Sequence, residues 1–558
     1  MNTRIFMNTN VFQRSAHALV VAATLLAATA SAQTNTTPGG GTSRETLRLT
    51  LDDAVRRAVE NNPELAIVRL GTEVEAARVG ESRSAYTPMF STVLGRSSSV
   101  TPPSSVLTGD RGVDLNDLFS STGVQQRIPW GATWSASWDT ARTTTNNPIS
   151  SFDPSLQSGF QLGFSQPLFK NRAIDDARHQ YIIAKRNEES SDLRFREAVV
   201  QTVAAVKQAY WTLKATLANV RVQQQSLELA EELARENKLR VTAGQIPPLD
   251  LVQAEAEVEQ RRENLIRAKT IADDAEDALR RLIVNPSDIS FWQVRIDPSD
   301  ELTLAGQAPD VDGAVAKALN QRYDLARADQ ELANAKTNID FLQNQRLPDV
   351  RLETSYRGSG LSGTQFLRTG GFPGSVIGTR NLGFADALGQ AFTNDYPTWS
   401  LGVTVSYPLG KSYEEASLAR AQVERRQAEQ RISSLRIQAA ETVRRAGRQI
   451  QSASQRVDAA RAGATLAKER LDVEQRRYEV GLSTTFLVTQ AQRDLLEAQV
   501  SLLQTSLDYE SAIVNFEAVQ QAPPLAAGDT VGVQGATIVP IPLSTPRGIF
   551  RTGASSGF

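Results

Sequence analysis

Apolar residues in the middle of the chain recur at alternating steps of three and four. Val199, Val203, Val206, Tyr210, Leu213, Leu217 and Val220 form one such run. Leu251, Ala254, Val258, Leu265, Ala268, Ala272, Ala275, Leu279 and Leu282 form another, with Arg261 in the slot between Val258 and Leu265. This alternation is a coiled-coil seam, which requires a partner helix along its length. Between Asp175 and Leu282 the only helix breakers are Gly244 and the pair Pro247-Pro248. A single break midway predicts an antiparallel helical hairpin. An arm of roughly 65 residues, at ~1.5 Å each, is on the order of 100 Å long. The last third predicts a second hairpin. Its outgoing arm carries Ile432, Leu435, Ala439, Ala446, Ile450, Ala453, Val457, Ala460, Ala464, Ala467 and Leu471. Gly481 marks the turn, and Val488, Ala491, Leu495, Ala498, Leu502, Tyr509, Ala512 and Phe516 return.

Elsewhere the period drops to two, the signature of strands. Trp130, Ala132, Trp134, Ala136 and Trp138 alternate with Gly, Thr, Ser and Asp. Phe160, Leu162 and Phe164 alternate with Gly and Gln, and Val350, Leu352 and Tyr356 with Arg, Glu and Ser. Trp399, Leu401, Val403, Val405 and Tyr407 alternate with Ser400, Gly402, Thr404 and Ser406. That last run is about nine residues, the length of a membrane-crossing strand, with an aromatic at each end. A half-buried sheet in water gives the same alternation. Met89 to Val100 is Ser/Thr-rich and strand-like. Shorter helices are predicted from Thr50, from Glu64 to Ser84 and from Val311 to Gln345. Gly358 to Asp395 reads as a long loop, with Gly358, Gly360, Gly370 and Gly371 as turn glycines.

The order helices, strands, long hairpin occurs twice, which predicts an internal duplication. Ala54, Ala58, Leu65 and Pro88 match Ala314, Ala318, Leu325 and Pro348 at a constant offset of 260 (348 − 88). Gly244 matches Gly481, and Gln253-Ala254 matches Gln490-Ala491.

Composition narrows the function. A net charge of −2 gives no electrostatic case for nucleic acid. The absence of cysteine removes disulfides, thiol chemistry and Cys-ligated metals. The two histidines are His17 and His179. His17 falls in residues 1–32, which read as a signal peptide: Arg4 and Arg14, an apolar core from Ala18 to Ala28, and Ala30-Ser31-Ala32 before Gln33. His179, near the start of a long helix, reads as exposed or seam-flanking rather than as a ligand. No other apolar run approaches the ~18 residues of a spanning helix, so any membrane crossing is by strands. No phosphate-loop, zinc-protease or nucleophile-elbow motif occurs. The chain is expected not to be an enzyme, and no cofactor is implied. Residues 33–48 read as a flexible leader, 49–283 as the first repeat, 284–310 as a linker, 311–520 as the second repeat and 521–558 as a Pro/Gly-rich tail.

Five stretches in order resemble the TolC-like outer membrane efflux proteins, across nearly the whole exported chain. Leu49-Thr50-Leu51-Asp52-Asp53-Ala54 with Asn61-Asn62-Pro63-Glu64-Leu65 is similar to the family's N-terminal motif. Gln321-Arg322-Tyr323-Asp324-Leu325 resembles its counterpart in the second repeat, with Tyr323 where proline is usual. Gln166-Pro167-Leu168-Phe169 resembles the strand-to-helix junction. Arg477-Tyr478-Glu479-Val480-Gly481-Leu482-Ser483 and Gln490-Ala491-Gln492 resemble the second hairpin tip.

The resemblance implies an α+β membrane protein: a homotrimer in which four strands per protomer close one outer-membrane β-barrel, continued by a long α-helical coiled-coil tunnel in the periplasm. It implies an exit duct for small molecules such as drugs, served by an inner-membrane pump through a periplasmic adaptor. The alternatives are the exit duct of a type I protein secretion system and a periplasmic coiled-coil structural protein without a pore. The adaptor would meet Gly244, Gln245, Val480, Gly481, Leu482 and Ser483, although Gly and Pro at these tips also suit turn geometry alone. In the family an acid six residues past the first tip glycine helps latch the second hairpin, and here that is Asp250. Its tyrosine partner is matched by Tyr478. Its arginine partner is replaced by Ser483, with Arg476 or Arg477 as substitutes. The positions of the family's acidic gate hold Leu487 and Gln490, which points to an apolar constriction at Leu487. Trp134, Phe160, Phe164, Tyr356, Trp399 and Tyr407 would face outer-membrane lipid. The first half holds one strand too many for four. The run from Trp130 to Trp138 either pairs with Val124 to Ile128 as an extracellular hairpin or is itself the second barrel strand.

Overall fold

The structure, a computed structural model, describes residues 46–102, 112–285, 289–301, 309–371, 374–410 and 412–524. The predicted signal peptide with His17, nearly all of the leader and the tail beyond residue 524 lie outside the described residues.

The first half begins with β1 (Thr46–Leu49), α1 (Leu51–Asn61) and α2 (Pro63–Ser84). The Thr50 hydroxyl accepts from the Asp53 amide and caps α1. The Asn62 side chain caps α2, whose first residue is Pro63, where a missing amide costs nothing. Four strands follow, β2 (Met89–Thr101), β3 (Val113–Arg127), β4 (Thr133–Thr145) and β5 (Phe152–Pro167). The first long hairpin is α3 (Asp176–Thr242) and α4 (Pro248–Ile283), and β6 (Arg295–Pro298) then pairs in parallel with β1. The second half runs α5 (Val311–Gln321), α6 (Tyr323–Gln345), β7 (Asp349–Thr369), β8 (Ser375–Asn381), α7 (Phe384–Thr393), β9 (Tyr396–Ser406), α8 (Tyr413–Glu479) and α9 (Thr485–Val519). The halves match in size: α1 and α5 have 11 residues each, and α3 and α8 have 67 each.

The helical seams pack as their spacing predicts. Ala254, Val258, Leu265, Ala268, Ala272 and Leu279 are buried along α4, and Ala439, Ala446, Ile450, Ala453 and Val457 along α8. Arg261, the one charge in the α4 seam, is buried between the carboxylate of Glu257 and the hydroxyl of Ser226. At the level of β1 and β6, Tyr210 of α3 packs with Leu49, Ala54, Ala58, Leu279 and Ile296. Its hydroxyl donates to Asp300 and to the Leu49 carbonyl, and Asp300 also accepts from the Leu51 amide. One buried tyrosine therefore ties the start of the chain, the first hairpin and the linker together. His179 stacks on Phe341 of α6, with ring centroids 4.5 Å apart.

The large sheet corrects three expectations. Among the described residues it has seven strands rather than four, in the order β2-β3-β4-β5-β7-β8, with β9 also paired to β7. The polar run Asp114 to Gln126 carries little period-two apolar signal, yet it forms β3, held by continuous pairing to β2 and β4. The Trp-rich run does pair with Val124 to Ile128 around a Pro129-Trp130-Gly131 bend, but not as an extracellular hairpin. From Thr133 it is β4, paired along its whole length to β3 and over Thr133–Thr143 to β5, and the Ile128–Ala132 turn before it lies at the helix-bearing edge of the sheet. A Cβ on Gly131 there would lie 2.8 Å from the Asn171 carbonyl oxygen, just before α3. Finally, the glycine-rich stretch after Tyr356 is not a loop. β7 continues through it to Thr369, and α7 lies across β7 and β5. Gly358 and Gly360 are strand residues whose missing side chains let α7 settle on the sheet: a Cβ on either would strike the carbonyl of Ala391 or Ala387.

Candidate functional site: the helical tips and the two faces of the sheet

Both long hairpins turn in the same way. Gly244 has φ +72° and Gly481 has φ +78°, the left-handed region that side chains with a Cβ avoid. At the first tip the Gln245 amide donates to the Arg240 carbonyl (2.8 Å) and the Gly244 amide to Val241 (3.0 Å). At the second, the Leu482 amide donates to Arg477 (2.7 Å) and the Gly481 amide to Tyr478 (3.1 Å). Both are Schellman closures, which satisfy the last carbonyls of the outgoing helix. The first return helix starts on Pro248, and the second is capped by Thr484, whose hydroxyl accepts from the Leu487 amide.

One turn inward the two hairpins are tied. Tyr478 is buried, and its hydroxyl donates to the Asn237 side chain at 2.6 Å and lies 3.3 Å from the Thr485 hydroxyl. The Arg240 guanidinium lies 4.2 Å from the centre of the Tyr478 ring, and it donates to the Tyr478 carbonyl at 3.3 Å. Asn237 donates onward to the Asp250 carbonyl at 3.4 Å. Tyr478 thus meets Asn237 and Arg240 rather than the Asp250 carboxylate, which has no hydrogen bond or ion pair among the described residues. Ser483 and Arg477 both reach Glu474, at 2.7 and 2.9 Å. The Ser483 hydrogen bond, opposed by desolvation and aided by the Arg477 charge, holds the Glu474 carboxyl below its ordinary value. Gln490 donates to Asp494 at 2.7 Å, and Leu487 is 39% exposed.

Sequence reasoning missed Asn237, Arg240, Glu474 and Thr485. Only Asn237 left a signal: it continues the three-four spacing of Ala230 and Leu233, so a polar residue occupies a seam position. Beyond the tie the tips are bare and apolar. Val480, Leu482, Leu249 and Phe486 are 69%, 71%, 63% and 66% exposed, and Gln245 is exposed beside them.

Further along the hairpins, Glu257 of α4 holds Arg261 of its own helix and Arg493 of α9. Burial alone would raise the Glu257 pKa. The hydrogen bond from Arg493 and the Arg261 charge outweigh it and hold the carboxyl below its ordinary value.

At the sheet, register sorts the side chains into an apolar and a polar face. Trp134 lies opposite Phe164, Trp138 opposite Phe160, and Tyr356 opposite Trp399. The same face carries Leu162, Leu401, Val403 and Val405. The other face carries Ser135, Ser137, Gly163, Ser355, Ser400 and Thr404. Trp399 is 73% exposed, and Tyr407 just beyond β9 is 55% exposed. Phe160 is half-covered because Phe392 of α7 stacks on it at 6.2 Å. The Trp134 indole donates to Gln126, and the Tyr356 hydroxyl bonds Asn394. Among the described residues no helix is long and apolar enough to cross a membrane.

Two blocks of the chain, residues 54–284 and 314–519, match the outer membrane efflux protein family. The chain belongs to that family. The outer membrane efflux protein BepC of Brucella suis is 24% identical over 89% of this chain and 90% of its own. The pyoverdine export outer membrane protein OpmQ of Pseudomonas aeruginosa is 22% identical over 65% of this chain and 69% of its own. Among solved structures, the Campylobacter jejuni CmeC outer membrane channel superposes with a TM-score of 0.61 at 17% identity, covering 84% of this chain and 85% of that one. As an outer membrane efflux protein, the chain is an outer-membrane exit channel. Its sheet belongs to the membrane β-barrel and its long hairpins to the periplasmic tunnel.

Proposed function

We propose that three copies form one passive duct through which small molecules such as drugs leave the cell. A periplasmic adaptor grips the helical tips and joins the duct to an inner-membrane pump, which supplies the energy. The protein itself performs no chemistry. The observation that carries this reading is the pair of equivalent tips, each closed on a left-handed glycine and ending in bare apolar side chains. Apolar groups clustered at the end of a polar rod mark a surface that another protein covers. Gly244, Gln245, Val480, Gly481, Leu482 and Ser483 are the contact residues. Tyr478 and the Asp250 carbonyl belong to the tie behind them, Arg477 braces the second tip through Glu474, and Leu487 with Gln490 lines the opening.

The other copies cover what a single chain leaves bare. Ile67, Leu70 and Val74 of α2 and Ile437 of α8 are 56%, 55%, 53% and 70% exposed, on helices otherwise packed by their seams. Trp134, Phe160, Phe164, Tyr356, Trp399 and Tyr407 face lipid, with Phe160 partly behind α7. The Ser- and Gly-rich face lines the water-filled bore.

A deletion strain should gain sensitivity across a drug panel, restored by the wild type. Gly481→Trp should fail to restore it while still assembling as wild type on a native gel. Full restoration by Gly481→Trp would remove the tips as the docking surface.

A further inference from the structure

The sheet of one chain ends in two strands whose outer edges are unpaired among the described residues, and such edges are templates for another strand. One is β2 and the other is β9. Between them the strands run alternately away from and back to the helix-bearing edge: β2, β3, β4, β5, β7, β9. β8 only extends the same side of β7 beyond β9, along Thr364–Thr369. An even number of full-height strands leaves β2 and β9 antiparallel, so β9 of one copy can pair with β2 of the next, round a ring.

Register supports such a ring. Met89, Gln125, Ser135, Gly163, Ser355 and Ser400 lie in one row across the six strands. Met89 is the first residue of β2, next to the helices, whereas β9 runs six residues past Ser400 (406 − 400) before reaching that edge. Bringing a neighbour's Met89 beside Ser406 slides the row by six residues per copy. Six residues at ~3.3 Å against six strand spacings at ~4.8 Å is a tilt of about 35°, and closed membrane barrels tilt their strands by roughly 35–45°. The slide is even, so the faces match: Phe90 falls opposite Val405 on the apolar face, and Ser91 opposite Thr404 on the polar face.

Resting on the trimer proposed above, we infer that β9 of each copy pairs with β2 of the next, closing an eighteen-stranded barrel with six strands per copy. The resemblance implied twelve. Barrel diameter grows roughly linearly with strand number, so the bore is about half again as wide as a twelve-stranded one. The narrow part of the duct is then at the helical tips. The rival arrangement folds the β2–β3 pair aside and joins β4 to β9, giving twelve strands. Against it, β3 pairs with β4 from Leu115 to Arg127, a ladder that folding β2–β3 aside would break.

The chain has no cysteine, so paired cysteines report the seam directly. Ser91→Cys with Thr404→Cys, and separately Ser97→Cys with Thr398→Cys, would be oxidised in outer membranes and run on a non-reducing gel. Both should give a ladder ending at three copies. Ser135→Cys with Thr404→Cys tests the rival. In the eighteen-stranded barrel these positions are three strand spacings, ~14 Å, apart and stay unlinked, since a disulfide needs Cα atoms within about 7 Å. Linking through Ser135, or no linking by the first two pairs in protein that still runs as a trimer on a native gel, overturns the seam. A ladder ending at two or four copies overturns the trimer and the count of eighteen but leaves the seam standing.

Discussion

Tyr478 does more than its family counterpart implies, because its hydroxyl reaches a buried asparagine rather than an acid. Removing that hydroxyl leaves the Asn237 side-chain oxygen without its donor, which costs about 1–3 kcal/mol in a buried site. Tyr478→Phe should therefore loosen the tip and raise uptake of a bulky antibiotic in cells, with assembly unchanged; wild-type uptake would contradict that role. Glu257 makes a prediction with a pH sign. Its folded pKa is depressed, so the stability it contributes is present above the unfolded carboxylate value and is lost as pH falls through the folded one. The wild type should lose melting temperature on acidification below the ordinary carboxylate range. Glu257→Gln keeps one acceptor oxygen but loses the charge that faces Arg261 and Arg493, so it should start lower and change less in that window. Parallel pH curves would count against this tie.

At the scale of elements, the sequence revealed the helices far better than the sheet. The seams were legible because alanine and leucine repeat every three or four residues against one continuous partner, and burial follows that repeat along α4 and α8. β9 was legible for a similar reason, since one face is wholly apolar. β3 was not, because its few apolar residues fall on both faces, Leu118 and Val124 on one and Leu115 and Phe119 on the other, and backbone pairing to β2 and β4 holds it. The Gly-rich run hid β7 and α7, because glycines that admit a helix onto a strand look the same in sequence as glycines that turn a loop. Of the candidate site, the turn glycines were visible, but the tie behind them joins residues such as Asn237 and Tyr478, 241 positions apart. The seating of α7 gives its own test. Gly360→Leu should displace α7 and bare Phe160, lowering the melting temperature of the purified protein, whereas Gly389→Leu, where a Cβ meets nothing within 4 Å, should not. Equal losses would mean that α7 is not seated through Gly360.

For the whole molecule, a duplicated chain of 558 residues with net charge −2 and no cysteine builds one membrane sheet and two hairpins that meet at their ends. In the proposed duct the sheet is a wide bore and the tips its narrow end, with Leu487 at the opening. It follows that a change at one tip residue should alter flow through the entire duct. Purified wild-type protein and Leu487→Ala would be compared in a planar lipid bilayer. Discrete single-channel steps are expected for the wild type and larger ones for Leu487→Ala. Protein that inserts as an intact oligomer yet passes no current in either form would contradict the duct, and equal steps in both would remove Leu487 as its constriction.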